Sequence, residues 1–186
     1  MMDYVVLGVL EFSSIAIGIK TLDEMVKIAP IKIIEAKTIC PGKYIIVFSG
    51  DVASVDYSFK KGCEIGENLI IDSLYLPMVH KDVVPAIGNI IKIEEWNSIG
   101  IIETNSVVSS IEAADAAAKT GDVKIIEIRL AIGFGGKSYL KLTGELDEVQ
   151  AAMEAGIERI KSKNMLCMNT IIAKPDIEIK PFFFKI

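Results

Sequence analysis

Val5-Val-Leu-Gly-Val-Leu-Glu-Phe-Ser-Ser14 returns later in the chain as Ser98-Ile-Gly-Ile-Ile-Glu-Thr-Asn-Ser106, with Gly8, Leu10 and Glu11 matched by Gly100, Ile102 and Glu103 at an offset of 92 residues. The same offset carries Asp23 onto Asp115, Lys27 onto Lys119 and Lys32-Ile33-Ile34-Glu35 onto Lys124-Ile125-Ile126-Glu127. From there the offset becomes 94: Gly42-Lys43 matches Gly136-Lys137, Gly50 matches Gly144, Val55 matches Val149 and Gly62 matches Gly156. So many matches in order identify a duplication, with two extra residues in the second copy ahead of its Gly-Lys pair. The reading divides the chain into a first domain over 1–95 and a second over 96–186. Two copies are too few for a solenoid, which stacks three or more units, and suit a pseudo-symmetric pair.

Within each copy the apolar pattern changes period in a fixed order. Tyr4 to Glu11 is a β-branched apolar run, which predicts a strand. Ser13-Ser14 supply N-cap candidates for a helix whose apolar residues are Ile15, Ile19, Leu22, Val26 and Ala29. Ile31 to Ile39 and Lys43 to Ser49 read as two strands of a hairpin around Pro41-Gly42. Gly50-Asp51 opens a second helix with Val52, Val55, Phe59, Cys63 and Gly66 on its apolar face. Ser73 to Leu76, stopped by Pro77, predicts the fourth strand. The second copy repeats this with helix 107–119, hairpin 123–143, helix 146–160 and strand 169–173. The order β-α-β-β-α-β predicts a ferredoxin-like α+β domain, an antiparallel four-stranded sheet with helices on one face, occurring twice. That fold alone implies no function.

Composition narrows the classes. With 186 residues, 51% of them hydrophobic, the chain can bury a real core. Its mean hydropathy of +0.44 is high. No apolar run reaches the roughly 18 residues of a membrane helix, so large subunit interfaces account for the excess and no membrane partner is expected. The first ten residues carry Asp3, no basic region and too short an apolar stretch for a signal peptide, which predicts a cytosolic protein. A net charge of -5 argues against nucleic acid as a partner. Cys40, Cys63 and Cys167 are an odd set with no Cys-x-x-Cys pair, so neither a disulfide framework nor a zinc site within one chain is expected.

The segments Gly8-Val-Leu-Glu11, Asp23-Glu-Met-Val-Lys-Ile-Ala29, Ile31-Lys-Ile-Ile-Glu-Ala36 and Pro41-Gly-Lys-Tyr-Ile-Ile-Val-Phe-Ser-Gly-Asp51 resemble the bacterial microcompartment shell domain. The resemblance extends through both copies, in unpermuted order. Lys37-Thr-Ile-Cys-Pro-Gly-Lys43 is similar to the tandem-domain trimeric shell proteins of propanediol-utilisation compartments. The resemblance implies a homotrimeric, pseudohexameric tile with no enzymatic turnover, set in the shell of a microcompartment inside the cytoplasm. Its implied partners are other shell proteins and an encapsulated redox enzyme. Two distinct copies per chain let three-fold symmetry fill six places. The resemblance also puts Lys27 and Lys119 at the edges where tiles meet laterally, against the bland reading of a solvated helix end for each.

In such proteins the turn between the second and third strands lines a central pore. Here that implies Ile39, Cys40, Pro41 and Gly42 from the first copy and Gly133, Phe134, Gly135 and Gly136 from the second. One cysteine cannot hold a [4Fe-4S] cluster, which takes about four ligands. Three copies of Cys40 around a three-fold axis supply three, and the resemblance implies one cluster per trimer bound there, passing electrons across the shell. Against this stands the reading of Cys40 as an ordinary small apolar residue, with the pore open to a small metabolite. The turn chemistry of Pro41-Gly42 favours an exposed position. Cys63 and Cys167 read as packing residues.

Three further signals are weighed. Ala131-Ile-Gly-Phe-Gly-Gly-Lys-Ser138 fits a loose phosphate-loop pattern, but Tyr139-Leu-Lys-Leu-Thr143 alternates like a strand where a helix is needed. His80 has no metal-ligand or acid–base companion at a suitable spacing and reads as a surface or interface residue. Glu11 and Glu103 recur at a strand end and read as equivalent hydrogen-bonding residues at a helix N-terminus or an interface, not as a catalytic pair. A regulator that binds small molecules through duplicated ferredoxin-like domains is the competing functional class.

Overall fold

The computed structural model describes residues 5–184; Tyr4, where the sequence reading opens the first strand, lies outside them. The chain divides into two units, one running to Lys81 and including Ala131–Gly136, the other made of Asp82–Leu130 and the residues from Lys137 onward. In the first, β1 (Val6–Phe12) is followed by α1 (Ile15–Ile28), β2 (Lys32–Ile39), β3 (Lys43–Gly50), α2 (Val52–Gly66) and β4 (Ile70–Leu76). In the second, the short helix α3 (Val83–Ala86) precedes β5 (Ser98–Thr104), α4 (Val107–Thr120), β6 (Lys124–Arg129), β7 (Ser138–Gly144), α5 (Leu146–Ile160), β8 (Leu166–Ile172) and the short α6 (Lys180–Phe183). The sheets run β2-β3-β1-β4 and β6-β7-β5-β8, and every strand pair is antiparallel. This is the ferredoxin-like order that the sequence predicts, present twice.

Local chemistry accounts for the elements. Ser14, Asp51 and Ser106 cap α1, α2 and α4 by accepting the backbone N–H three residues on, at 3.3, 3.0 and 3.2 Å. The Ser54 hydroxyl and N–H on Asp51 hold its carboxyl below the usual aspartate range. The last strand of each sheet starts earlier than its alternation suggests, at Ile70 instead of Ser73 and at Leu166 instead of Asn169. In both copies pairing with the first strand continues across a register shift, at Glu11/Phe12 and at Glu103/Thr104, and so extends the strand over residues whose side chains do not alternate. A matching shift recurs in the hairpins, between Ile33 and Glu35 and between Ile125 and Glu127. The duplication is thus written into the backbone register.

The first core gathers Val6, Leu10, Phe12, Met25, Tyr44, Ile46, Phe48 and Val55. Gly8 admits the Phe48 ring, whose Cζ lies 2.3 Å from where a Cβ would stand. The face that α1 buries differs from the expected one. It presents Gly18, Thr21 and Met25 inward, whereas Ile15, Ile19 and Val26 are exposed. Gly18 is the reason, since only a residue without Cβ lets the helix seat against the Tyr44 ring, 2.6 Å from a would-be Cβ. The equivalent α4 is alanine-rich and buries eleven of its fourteen residues. In the second unit the segment after α3 runs along the sheet edge, with Gly88 N–H donating to Ile128 O at 2.9 Å and Ile91 N–H to Ile126 O at 2.8 Å.

One ion pair is duplicated with the fold. Lys43 Nζ lies 2.8 Å from Glu11 Oε1, and Lys137 Nζ lies 3.2 Å from Glu103 Oε2. Each joins the first strand of its sheet to the residue that follows the turn, so within the chain each glutamate has a lysine partner that the sequence reading did not name. The two differ in solvation: the Glu11 side chain is 0% exposed and that of Glu103 38%. A double-mutant cycle read by chemical denaturation is expected to give the exposed Glu103–Lys137 pair a coupling under about 1 kcal/mol. The Glu11–Lys43 pair is expected to exceed it, because removing either partner perturbs a fully buried charge.

Candidate functional site

The hairpin of β2 and β3 closes with Thr38 opposite Tyr44 and Ile39 opposite Lys43, which leaves Cys40-Pro41-Gly42 at its tip. Gly42 has φ +74, the left-handed region that glycine enters without a Cβ penalty, and the Cys40–Pro41 peptide is cis. Ile39 is buried and anchors the tip, Cys40 is half-buried, and Pro41 and Gly42 are exposed.

The segment Ala131–Gly136 from the second sequence copy belongs to this same unit and wraps the tip. Cys40 N–H donates to Ala131 O at 2.7 Å, and Gly133 N–H donates to Cys40 Sγ at 3.4 Å. Gly136, at φ +91, packs against Pro41 so closely that a Cβ would stand 2.7 Å from Pro41 Cδ. Ile132 and Phe134 are exposed, and the positions of a Cβ on Gly42, Gly133 and Gly135 are open space. All eight residues expected at the pore are therefore gathered in one unit, with Ile39 and Gly136 buried as supports and the other six at its surface or half-buried.

The donor set at this tip is soft. Cys40 offers sulfur, and the side chains of Ile132 and Phe134 in the facing loop offer no oxygen or nitrogen ligand. Hard cations such as Mg²⁺ and Ca²⁺ take oxygen ligands, whereas thiolates suit iron–sulfur clusters and soft metals. Among the described residues no group of three or more His, Cys, Asp or Glu side chains is placed to hold a metal within one chain. The tip fits an iron–sulfur cluster as one thiolate of a ligand set that further chains would complete.

The remaining candidates fall elsewhere. Cys63 lies half-buried on α2 against the first core, and burial pushes its thiol up. Cys167 lies in β8; burial pushes its thiol up, with Lys137 opposing and Glu103 adding to the rise. Lys27 and Lys119 stand in the last turns of α1 and α4, paired four residues back with Asp23 and, at 2.6 Å, with Asp115. The Asp23 hydrogen bond raises the Lys27 pKa above its ordinary value. Strand β7 begins at Ser138, directly after Lys137, so no helix N-terminus faces the Ala131–Ser138 loop and the phosphate-loop reading falls. His80 is half-buried ahead of α3. Sequence reasoning missed two features, the lysine partners of Glu11 and Glu103 and the reach of the second loop onto Cys40. The first was visible in the shared Gly-Lys pair; the second had no signal, since it depends on a backbone N–H.

Comparison with known proteins agrees with this architecture. The BMC domain family matches residues 6–79 and again 98–175. The chain is 36% identical over 169 residues to the bacterial microcompartment shell protein PduT of Citrobacter freundii, covering 91% of this chain and 92% of that one. The carboxysome shell protein CsoS1A of Hydrogenovibrio crunogenus is 36% identical over 85 residues, 45% of this chain but 86% of its own length, the span of a single copy. Among solved structures, a microcompartments protein from Desulfitobacterium hafniense DCB superposes with a TM-score of 0.84 at 40% identity, covering 95% of this chain and 98% of that chain. The fused permuted hexameric shell protein MSM0275 from the RMM microcompartment shares the fold, with a TM-score of 0.64 at 18% identity and 85% of each chain covered. The chain belongs to the BMC domain family of microcompartment shell proteins and carries two BMC domains in tandem.

Proposed function

We propose that three copies of this chain form a pseudohexameric shell tile whose three Cys40 thiolates converge on the axis and hold one [4Fe-4S] cluster. The observation that carries this reading is the Cys40 tip: a half-buried thiol on an exposed turn, faced by a loop whose exposed side chains, Ile132 and Phe134, are apolar, fits a third of a soft ligand set. The absence of cysteine from Ala131–Gly136 suits three ligands and not six. When bound, the cluster takes up and releases one electron at a time, and so relays electrons between an encapsulated redox enzyme and an acceptor outside. The protein's part is to hold the sulfur. Ile39 anchors the strand end, Ala131 O fixes the Cys40 backbone, and Gly133 N–H meets the sulfur. Nothing in this role requires catalytic turnover.

The exposed apolar residues of α1, Ile15, Ile19, Val26 and Ile28, supply the surface that association of chains would cover. Lys27 and Lys119 then act at the lateral edges, where tiles of this chain and other shell proteins meet. A second reading keeps the tile and leaves Cys40 unmetallated, with the exposed Gly42, Gly133 and Gly135 lining an opening that passes a small metabolite.

Anaerobic purification followed by assay of iron and acid-labile sulfide is expected to give about four irons per three chains, and none for Cys40→Ser at unchanged assembly mass. A colourless native protein would move the function to the solute pore. The double variant Lys27→Ala/Lys119→Ala is expected to keep its mass in light scattering while losing the sheets that the native protein forms in electron micrographs. Sheets as extensive as the native ones would remove both lysines from the tile edge.

A further inference from the structure

Two repeats that diverged from one ancestor place very different groups at the same turn. The first supplies a thiol. The second supplies two extra residues and three glycines, Gly133, Gly135 and Gly136, all at positive φ. What the second loop does with that freedom is visible in its contacts. Ala131 O takes the Cys40 N–H at 2.7 Å, Gly136 lies against Pro41, and Gly133 N–H is aimed at Cys40 Sγ at 3.4 Å. Backbone and sulfur of one residue are thus held by one loop. The φ of +81 at Gly133 is a conformation that side-chain-bearing residues rarely adopt, although there is room there for a Cβ. Glycine at this position therefore serves the direction of the backbone and not the space around it.

We infer that Gly133 is a positioning residue for the Cys40 thiolate, and that its N–H raises the reduction potential of the cluster proposed above. This rests on that reading. A hydrogen bond donated to a ligating sulfur draws density from it and favours the more negative, reduced state, so the potential rises with each donor. Under three-fold symmetry each of the three sulfurs receives one such donor. The cysteine-free loop of the second repeat is then half of the metal site: the first repeat ligates and the second tunes. Hydrogen bonds to the sulfurs are one of the levers by which a protein sets a cluster's potential.

The test removes a single hydrogen-bond donor. Gly133→glycolate, introduced by semisynthesis into the full chain, exchanges the N–H for an ester oxygen and leaves the backbone free to keep its positive φ. Gly135→glycolate makes the same exchange at a glycine with φ +61 and open space around it, in the same loop. With iron loaded anaerobically, the midpoint potential of the 133 ester is expected to move negative while the 135 ester keeps the native value. An unmoved potential at 133, or an equal shift at 135, overturns the inference. A native trimer without iron overturns the cluster reading and this inference together, whereas a native cluster whose potential ignores the ester overturns this inference alone. If the ester protein does not assemble, resonance Raman spectra of the native protein decide. A deuterium shift of the iron–thiolate stretch in D₂O is expected from the N–H on sulfur, and its absence overturns the inference.

Discussion

The Cys40 site depends on a hairpin that closes through a three-residue turn. Ile39 faces Lys43 across the ladder, so three residues make the reversal, and proline and glycine occupy two of them. Cys40 is the third. The pairing that shapes the tip is continuous with the buried β3, which runs from Tyr44 to Ser49 without an exposed residue. The hairpin that carries the thiol is therefore anchored in the core, and the Ala131–Gly136 loop holds the thiol's own residue from the other side. The Glu11–Lys43 pair, buried beneath the tip, adds charge to that anchorage.

Duplication then let the two halves take different work. Their strand order and register shifts are shared, but the side chains that meet solvent are not. The first helix of the first unit exposes three isoleucines and Val26, while α4 carries five alanines over 113–118 and is mostly buried. One Glu–Lys pair is buried and the other open to water. The sharpest divergence is at the turn, where a thiol in one copy answers a run of glycines in the other. A tile built from identical copies would repeat each feature six times; a tandem chain allows a three-fold set of ligands beside a three-fold set of backbone donors.

Much of this was legible in the sequence. Gly8, Leu10 and Glu11 against Gly100, Ile102 and Glu103 disclosed the repeat, and changes of apolar period placed the six elements of each copy. Ser14 and Asp51 announced their helices through capping chemistry. The inward face of α1 was hidden, because Gly18 and Thr21 carry no apolar signal and Gly18 is selected by the proximity of Tyr44. The early starts of β4 and β8 were hidden too, since backbone pairing, not alternation, extends them. At the site, the cysteine and its turn could be read from residue types. The hydrogen bond from Gly133 could not, because an N–H belongs to every residue but proline and its direction is a property of the fold.

The central claim is that one thiol per chain becomes a metal site through three-fold assembly. Native mass spectrometry of the anaerobically purified protein tests it most directly, because it reads chain number and bound inorganic mass in one particle. The account predicts a particle of three chains carrying the additional mass of a single [4Fe-4S] unit. A monomer, or a particle whose chain number is not a multiple of three, would contradict it.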